Sequence, residues 1–157
     1  MSLLNNLQQL CIEKGVSVAV AESCTAGLIA YKLTTVSGSS SYFKGGVVAY
    51  QNEIKTKILG VSRSIIDEKT EVSAEVVEQM TKSVLEKFDA DFAVATSGYA
   101  GPTGGTNKNP IGTVFIAIAS AEGVVVSRFV FSGNRQSVVN QASESALDLL
   151  YTKIKKQ

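Results

Sequence analysis

Val16-Ser17-Val18-Ala19-Val20-Ala21 runs straight into Glu22-Ser23-Cys24-Thr25-Ala26-Gly27, and Leu28, Ile29 and Leu33 then follow at helical spacing. The first six residues are β-prone and apolar and stand just after Gly15, which predicts a short buried strand over Val16–Ala21. Thr25 to about Thr34 resumes helical character. Ala21–Thr25 is therefore read as a strand-to-helix junction. Upstream, Leu3, Leu4, Leu7, Leu10 and Cys11 recur at helical spacing, with Ser2 as a candidate N-cap and Gly15 as a stop.

The same alternation continues downstream. Ser37-Gly38-Ser39-Ser40-Ser41 reads as a polar loop and Gly45–Tyr50 as a second strand. Asn52 is expected to cap a short helix that runs to about Leu59, with Gly60 ending it. Ser73-Ala74-Glu75-Val76 opens a helix carried by Val76, Val77, Met80, Val84, Leu85 and Phe88. Phe92–Thr96 is a third strand. Ser97–Pro110 holds Gly98, Gly101, Pro102, Gly104, Gly105 and Pro110 and must be a loop. Thr113–Ser120 and Val124–Phe131 read as strands joined through Ala121-Glu122-Gly123 in a hairpin. Gln136 to about Lys155 forms a last helix. Helices alternating with apolar strands imply an α/β fold with a central sheet covered on both faces and at least one antiparallel pair.

At 157 residues the chain suits one domain, and 45% hydrophobic against 18% charged residues predicts a packed core. A net charge of +1 without a long basic run argues against nucleic acid as the main partner. The Lys153–Lys156 stretch suits a helix end near the negative dipole pole. Met1-Ser2-Leu3-Leu4-Asn5-Asn6 lacks the basic start of a signal peptide, and no run approaches the roughly 20 apolar residues of a membrane span. Cys11 and Cys24 suit neither a disulfide framework nor a zinc pattern. A cytoplasmic location with no membrane partner is expected.

The histidine count is zero, which removes Ser-His-Asp and Cys-His chemistry. Any hydrolytic base must be Lys, Tyr or a carboxylate. In α/β sheets, ligands sit beyond the carboxyl ends of the strands, and three polar loops there are candidates. In the first, Ser23 at a strand-to-helix turn is placed to be a nucleophile, with helix N-terminal N–H groups as oxyanion donors. Ser23 or Thr25 acting only as a helix cap accounts for the same residues. Cys24 is a rival nucleophile, or a buried structural thiol. In the second, Tyr50 and Lys55 lie five residues apart across a turn. A lysine can serve as a base where desolvation or neighbouring positive potential lowers its pKa; a solvated surface lysine is the alternative, and Lys57 turns away from Lys55. In the third, Ser97–Thr106, dense glycine lets backbone N–H groups approach a ligand, without the spacing of a nucleotide-triphosphate loop or dinucleotide fingerprint. Arg135 suits a phosphate, a carboxylate or a surface salt bridge.

Together these segments resemble the CinA C-terminal domain family. The matching stretches are Ala21–Gly27, Gly45–Lys55, Gly60-Val61, Val72-Ser73, Ser97–Gly105, Pro110–Val114 and Gly133-Asn134-Arg135, in order over essentially the whole chain. The resemblance implies a three-layer α/β/α sandwich with a mixed, mostly parallel central sheet, often a homodimer. The chain leaves no room for the second domain of long CinA proteins, so a stand-alone form is expected. The family's enzymatic members hydrolyse the carboxamide of nicotinamide mononucleotide to nicotinate mononucleotide and ammonia, with a serine, a tyrosine and a lysine. By motif these fall on Ser23, Tyr50 and Lys55. On this reading Ser23 Oγ attacks the amide and Lys55, directly or with Tyr50, takes the proton. N–H groups around Cys24 and Thr25 hold the oxyanion. Gly98, Ala100, Gly101, Gly104, Gly105 and Thr106, with Arg135, bind the substrate, and neither metal nor organic cofactor is required. Two positions depart from the family pattern: Asn134 replaces an aspartate and Tyr99 an aliphatic residue. They motivate the alternative of a silent pyridine-nucleotide-binding or regulatory module.

Overall fold

A computed structural model describes residues 2–157. Its helices are α1 (Leu3–Lys14), α2 (Leu28–Thr34), α3 (Asn52–Leu59), α4 (Arg63–Lys69), α5 (Ala74–Lys87) and α6 (Arg135–Lys155). The strands are β1 (Val18–Glu22), β2 (Phe43–Val48), β3 (Phe92–Gly98), β4 (Thr113–Ser120) and β5 (Gly123–Val130), and a single 3-10 turn covers Ser39–Ser41. The predicted elements are present with ends displaced by up to three residues. The exception is α4, which periodicity did not mark because only Ile65 and Ile66 supply its apolar face; Ser62, whose hydroxyl accepts from the Ile65 N–H, was its available signal.

The strands form one sheet in the order β2-β1-β3-β4-β5. β2, β1 and β3 are mutually parallel, while β3–β4 and β4–β5 are antiparallel pairs. Only β4 therefore runs against the others, and the sheet is mixed and mostly parallel. The β4–β5 turn is tighter than expected: Ser120 pairs with Gly123, leaving Ala121 and Glu122 as the two-residue loop.

The two faces of the sheet differ in side-chain size. Val18, Val20, Val94, Val114, Ile116 and Ile118 pack with α1, α2 and α6. Ala19, Ala21, Ala93, Ala95, Ala117 and Ala119 line the opposite face under α5, joined by Leu59, Val61 and Ile66 from the α3–α4 region. Successive strand residues point to opposite faces, so large and small residues alternate along β1 and β3 and along β4 from Ile116 on, with Phe115 the large exception on the alanine face. Both faces are covered, which is why these strands read as unbroken apolar runs. This three-layer arrangement brings the carboxyl ends of β1, β2, β3 and β5 to one sheet edge, with Ser23, Tyr50, Tyr99 and Arg135 just beyond them.

Candidate active site

Ser23, Cys24, Tyr50, Lys55, Gly98, Ala100, Gly101 and Arg135 line one cleft of about 190 Å³ at that edge. Asn52, Ser97, Tyr99 and Thr103, from the candidate loops but not singled out as ligand-binding residues, complete its wall together with Glu71, which lies outside those loops. Gly104, Gly105 and Thr106 do not reach it: they border a separate, shallower depression with Pro110 and Ile111 on the outer side of the glycine loop. Their glycine content was legible, but which side of the loop faces Ser23 depends on how the loop folds back. It does so through Gly112 N–H to the Tyr99 carbonyl and Arg135 Nη1 to the Gly101 carbonyl, each 2.7 Å.

The junction after β1 is built differently from the expected helix-terminal oxyanion site. Helix α2 starts only at Leu28, and Gly27 occupies its N-cap without a side-chain bond. Neither Ser23 nor Thr25 caps it. The cap is Glu22, fully buried: one carboxylate oxygen accepts from the Ile29 N–H (2.9 Å) and the Thr25 hydroxyl (2.6 Å), the other from the Ala30 N–H (3.0 Å). A buried carboxylate thus consumes the positive end of α2. Thr25 Oγ1 also meets Thr96 Oγ1 at 2.8 Å, tying the turn to β3. Ser23 is held by its own backbone, its N–H donating to the Thr96 carbonyl and its carbonyl accepting from Ala26. The N–H groups of Cys24 and Thr25 meet no backbone acceptor among the described residues, so any oxyanion donors here belong to the turn and not to the helix.

Lys55 is 1% exposed, the bulkiest of the fully buried side chains. Its Nζ donates to the Tyr50 carbonyl at 3.1 Å and makes no ion pair among the described residues. Burial lowers its pKa below the ordinary lysine value, while the Glu71 carboxylate pulls in the other direction. Desolvation, not the α3 N-terminus, is thus the leading cause. The phenol of Tyr50 points elsewhere: its Oη accepts from Arg135 Nη2 at 2.7 Å. Tyr50 and Lys55 therefore share the cleft, but the contact between them runs through a carbonyl. No hydrogen bond joins Ser23 Oγ to Lys55 Nζ among the described residues. Among the described residues Arg135 forms no salt bridge, and it clamps Tyr50 to the glycine loop.

Cys24 is buried, and desolvation pushes its thiol up to about 12, which makes it a poor thiolate source at neutral pH. Asn134, one of the two departures, is the N-cap of α6: its side-chain oxygen accepts from the Ser137 N–H at 2.9 Å. Asparagine and aspartate cap helices about equally well, so the missing carboxylate is accounted for by structure. Tyr99 lines the cleft, and its ring lies beneath Gly104, where a Cβ would come within 3.2 Å of it. Among the described residues no helix is long and apolar enough to cross a membrane.

Residues 1–154 match the CinA C-terminal domain family. A CinA-like protein of Flavobacterium psychrophilum is 45% identical over 150 residues, which cover 96% of this chain and 36% of that protein. One from Desulfotalea psychrophila is 45% identical over 142 residues, covering 90% of this chain and 34% of its own length. The chain spans about a third of the curated relatives it matches. The crystal structure of a competence-damaged protein (CinA) superfamily protein from Klebsiella pneumoniae superposes with a TM-score of 0.94 at 32% identity, covering 99% of this chain and 97% of that one.

Proposed function

The chain belongs to the CinA C-terminal domain family, and from that premise we propose that it is an amidohydrolase that converts nicotinamide mononucleotide to nicotinate mononucleotide and ammonia. The observation that carries this reading is Lys55: a buried lysine that forms no ion pair among the described residues, in the same cleft as a serine held at a strand end. A lysine with a lowered pKa offers a lone pair at neutral pH and can do what histidine does elsewhere.

Ser23 Oγ attacks the carboxamide carbon and Lys55 Nζ takes its proton. The free N–H groups of Cys24 and Thr25 hold the developing oxyanion. When the C–N bond breaks, Lys55 returns the proton to the nitrogen, which leaves as ammonia. Water then attacks the acyl-serine ester, giving its proton to Lys55, and the carboxylate product departs as Ser23 is reprotonated. Ser23 and Lys55 line the same cleft, and the hydrogen bond between them forms as substrate binds, since catalytic hydrogen bonds often tighten only in the Michaelis complex. Tyr50 acts through its carbonyl, which orients Lys55, and through its phenol at the cleft mouth. Arg135 spends two of its five N–H donors on protein; the rest, with N–H groups at Gly98, Ala100 and Gly101, face the substrate's phosphate end. The cytoplasm and a homodimeric assembly remain part of the proposal.

Ammonia release from nicotinamide mononucleotide by purified protein tests this reading. Ser23→Ala and Lys55→Ala are expected to lose about 10³-fold or more in kcat with the fold retained. Undiminished turnover by Ser23→Ala would sink the mechanism.

A further inference from the structure

Among the described residues, Glu71 is the one carboxylate that lines the cleft. It sits between α4 and α5, and the backbone there is pinned: Ser97 Oγ donates to its carbonyl at 2.7 Å, and Asn109 Nδ2 to the Val72 carbonyl at 3.3 Å. Its carboxylate, in contrast, has no hydrogen bond or ion pair among the described residues. Its charge is felt at Lys55, which it pulls toward the protonated form. That effect opposes the use of Lys55 as a base, so the carboxylate is not there to make the lysine more basic-form at neutral pH. The cleft's permanent cation, Arg135, is turned toward Tyr50 and Gly101. Tyr99 lines the same cleft, with its ring packed beneath Gly104. An unpaired, half-buried carboxylate in the wall of a substrate cleft attracts a cationic ligand.

We propose that Glu71 is a specificity-determining residue that selects amides carried on a positively charged aromatic ring, a pyridinium, over the same amides on a neutral ring. The proposal rests on the amidohydrolase reading for the position of the amide at Ser23. It has a consequence for the product. Hydrolysis turns a neutral carboxamide into a carboxylate within the field of Glu71, so the product is held less well than the substrate and leaves the cleft.

The test compares nicotinamide mononucleotide with its 1,4-dihydro form, which keeps the carboxamide, ribose and phosphate but lacks the ring charge. Calorimetry on the non-turning Ser23→Ala protein, with and without Glu71→Gln, reads the ratio of the two Kd values. The expected result is a preference for the cation of about tenfold or more that falls to within about threefold in Glu71→Gln. In the enzyme with Ser23 intact, the same substitution is expected to raise KM for the cation more than it lowers kcat. A ratio unmoved by Glu71→Gln, equal weakening of both ligands, or no binding of either overturns the proposal. Absence of ammonia release with an intact, Glu71-dependent preference would remove the amidase reading and keep the binding one; turnover with an unmoved ratio would do the reverse.

Discussion

Lys55 concentrates the cost and the chemistry of this site in one side chain. Burial disfavours its charged form, so its pKa in the folded protein lies below the ordinary value of 10.5. Between those two pKa values the unfolded chain binds a proton that the folded chain does not, so this group's contribution to stability rises with pH across that window and is flat below it. Lys55→Met removes the penalty. It is expected to stabilise the protein at neutral pH by about 1 kcal/mol or more, raising Tm by roughly 2–4 °C, while activity is lost; thermal unfolding at two pH values checks both the gain and the vanished pH slope. For the active protein, only neutral Lys55 can take the serine proton. The acid limb of kcat/KM is expected to rise with pH and to sit below the normal lysine range. Glu71→Gln, by removing the charge that pulls Lys55 up, is expected to move that limb to lower pH. Cys24, with its thiol near 12, is expected to resist alkylation by iodoacetamide at neutral pH in the folded state.

At the scale of elements, the decisive contact is Glu22 at the start of α2. A seven-residue helix is too short to hold itself, and the buried carboxylate supplies acceptors for two of its orphan N–H groups and for Thr25. Glu22→Gln keeps the volume but turns one acceptor into an NH2 group facing a donor. It is expected to cost about 2 kcal/mol, with Tm lower by roughly 4–8 °C, and to lower kcat because the Ser23–Thr25 turn loosens. A melting curve and the kcat of the same preparation read the two effects. β2 carries a different constraint. A Cβ at Gly46 would stand 2.4 Å from the Val20 carbonyl, so Gly46→Ala is expected to push β2 away from β1 and to displace Tyr50 and Lys55 with it.

Across the whole molecule, the size difference between the two sheet faces sets what the core tolerates. The alanine face lets α5 approach closely, and the valine and isoleucine face fills the wider gap under α1, α2 and α6. Ala93→Leu is expected to overpack and cost about 1–3 kcal/mol. Ile116→Ala is expected to leave a cavity and cost about 2–5 kcal/mol. Urea unfolding measures both, and neither is expected to move the acid limb of kcat/KM, because neither residue lines the cleft.

All the strands, every helix but α4, and their order were legible in the sequence because each is a local pattern: period 3.6 along α5 and α6, apolar runs in β1 and β4, and Gly15 and Gly60 at the stops. The ordered motifs from Ala21–Gly27 to Gly133–Arg135 likewise established the family. What joined Ser23, Lys55 and Arg135 in one cleft was the sheet order, which brings four strand ends to one edge. Tertiary contacts alone decided that Glu22 and not Ser23 caps α2, that Lys55 is buried, that Tyr50 meets it through a carbonyl, and that Gly104–Thr106 face away. They also brought in Glu71, from a segment with no motif signal in the reading of the site. The physical reason is that burial and hydrogen-bond partners are properties of the space between elements. Periodicity and spacing report only which face of each element turns inward, so the opening stretch announced a strand, a turn and a helix, and the fold determined which of its side chains are free to react.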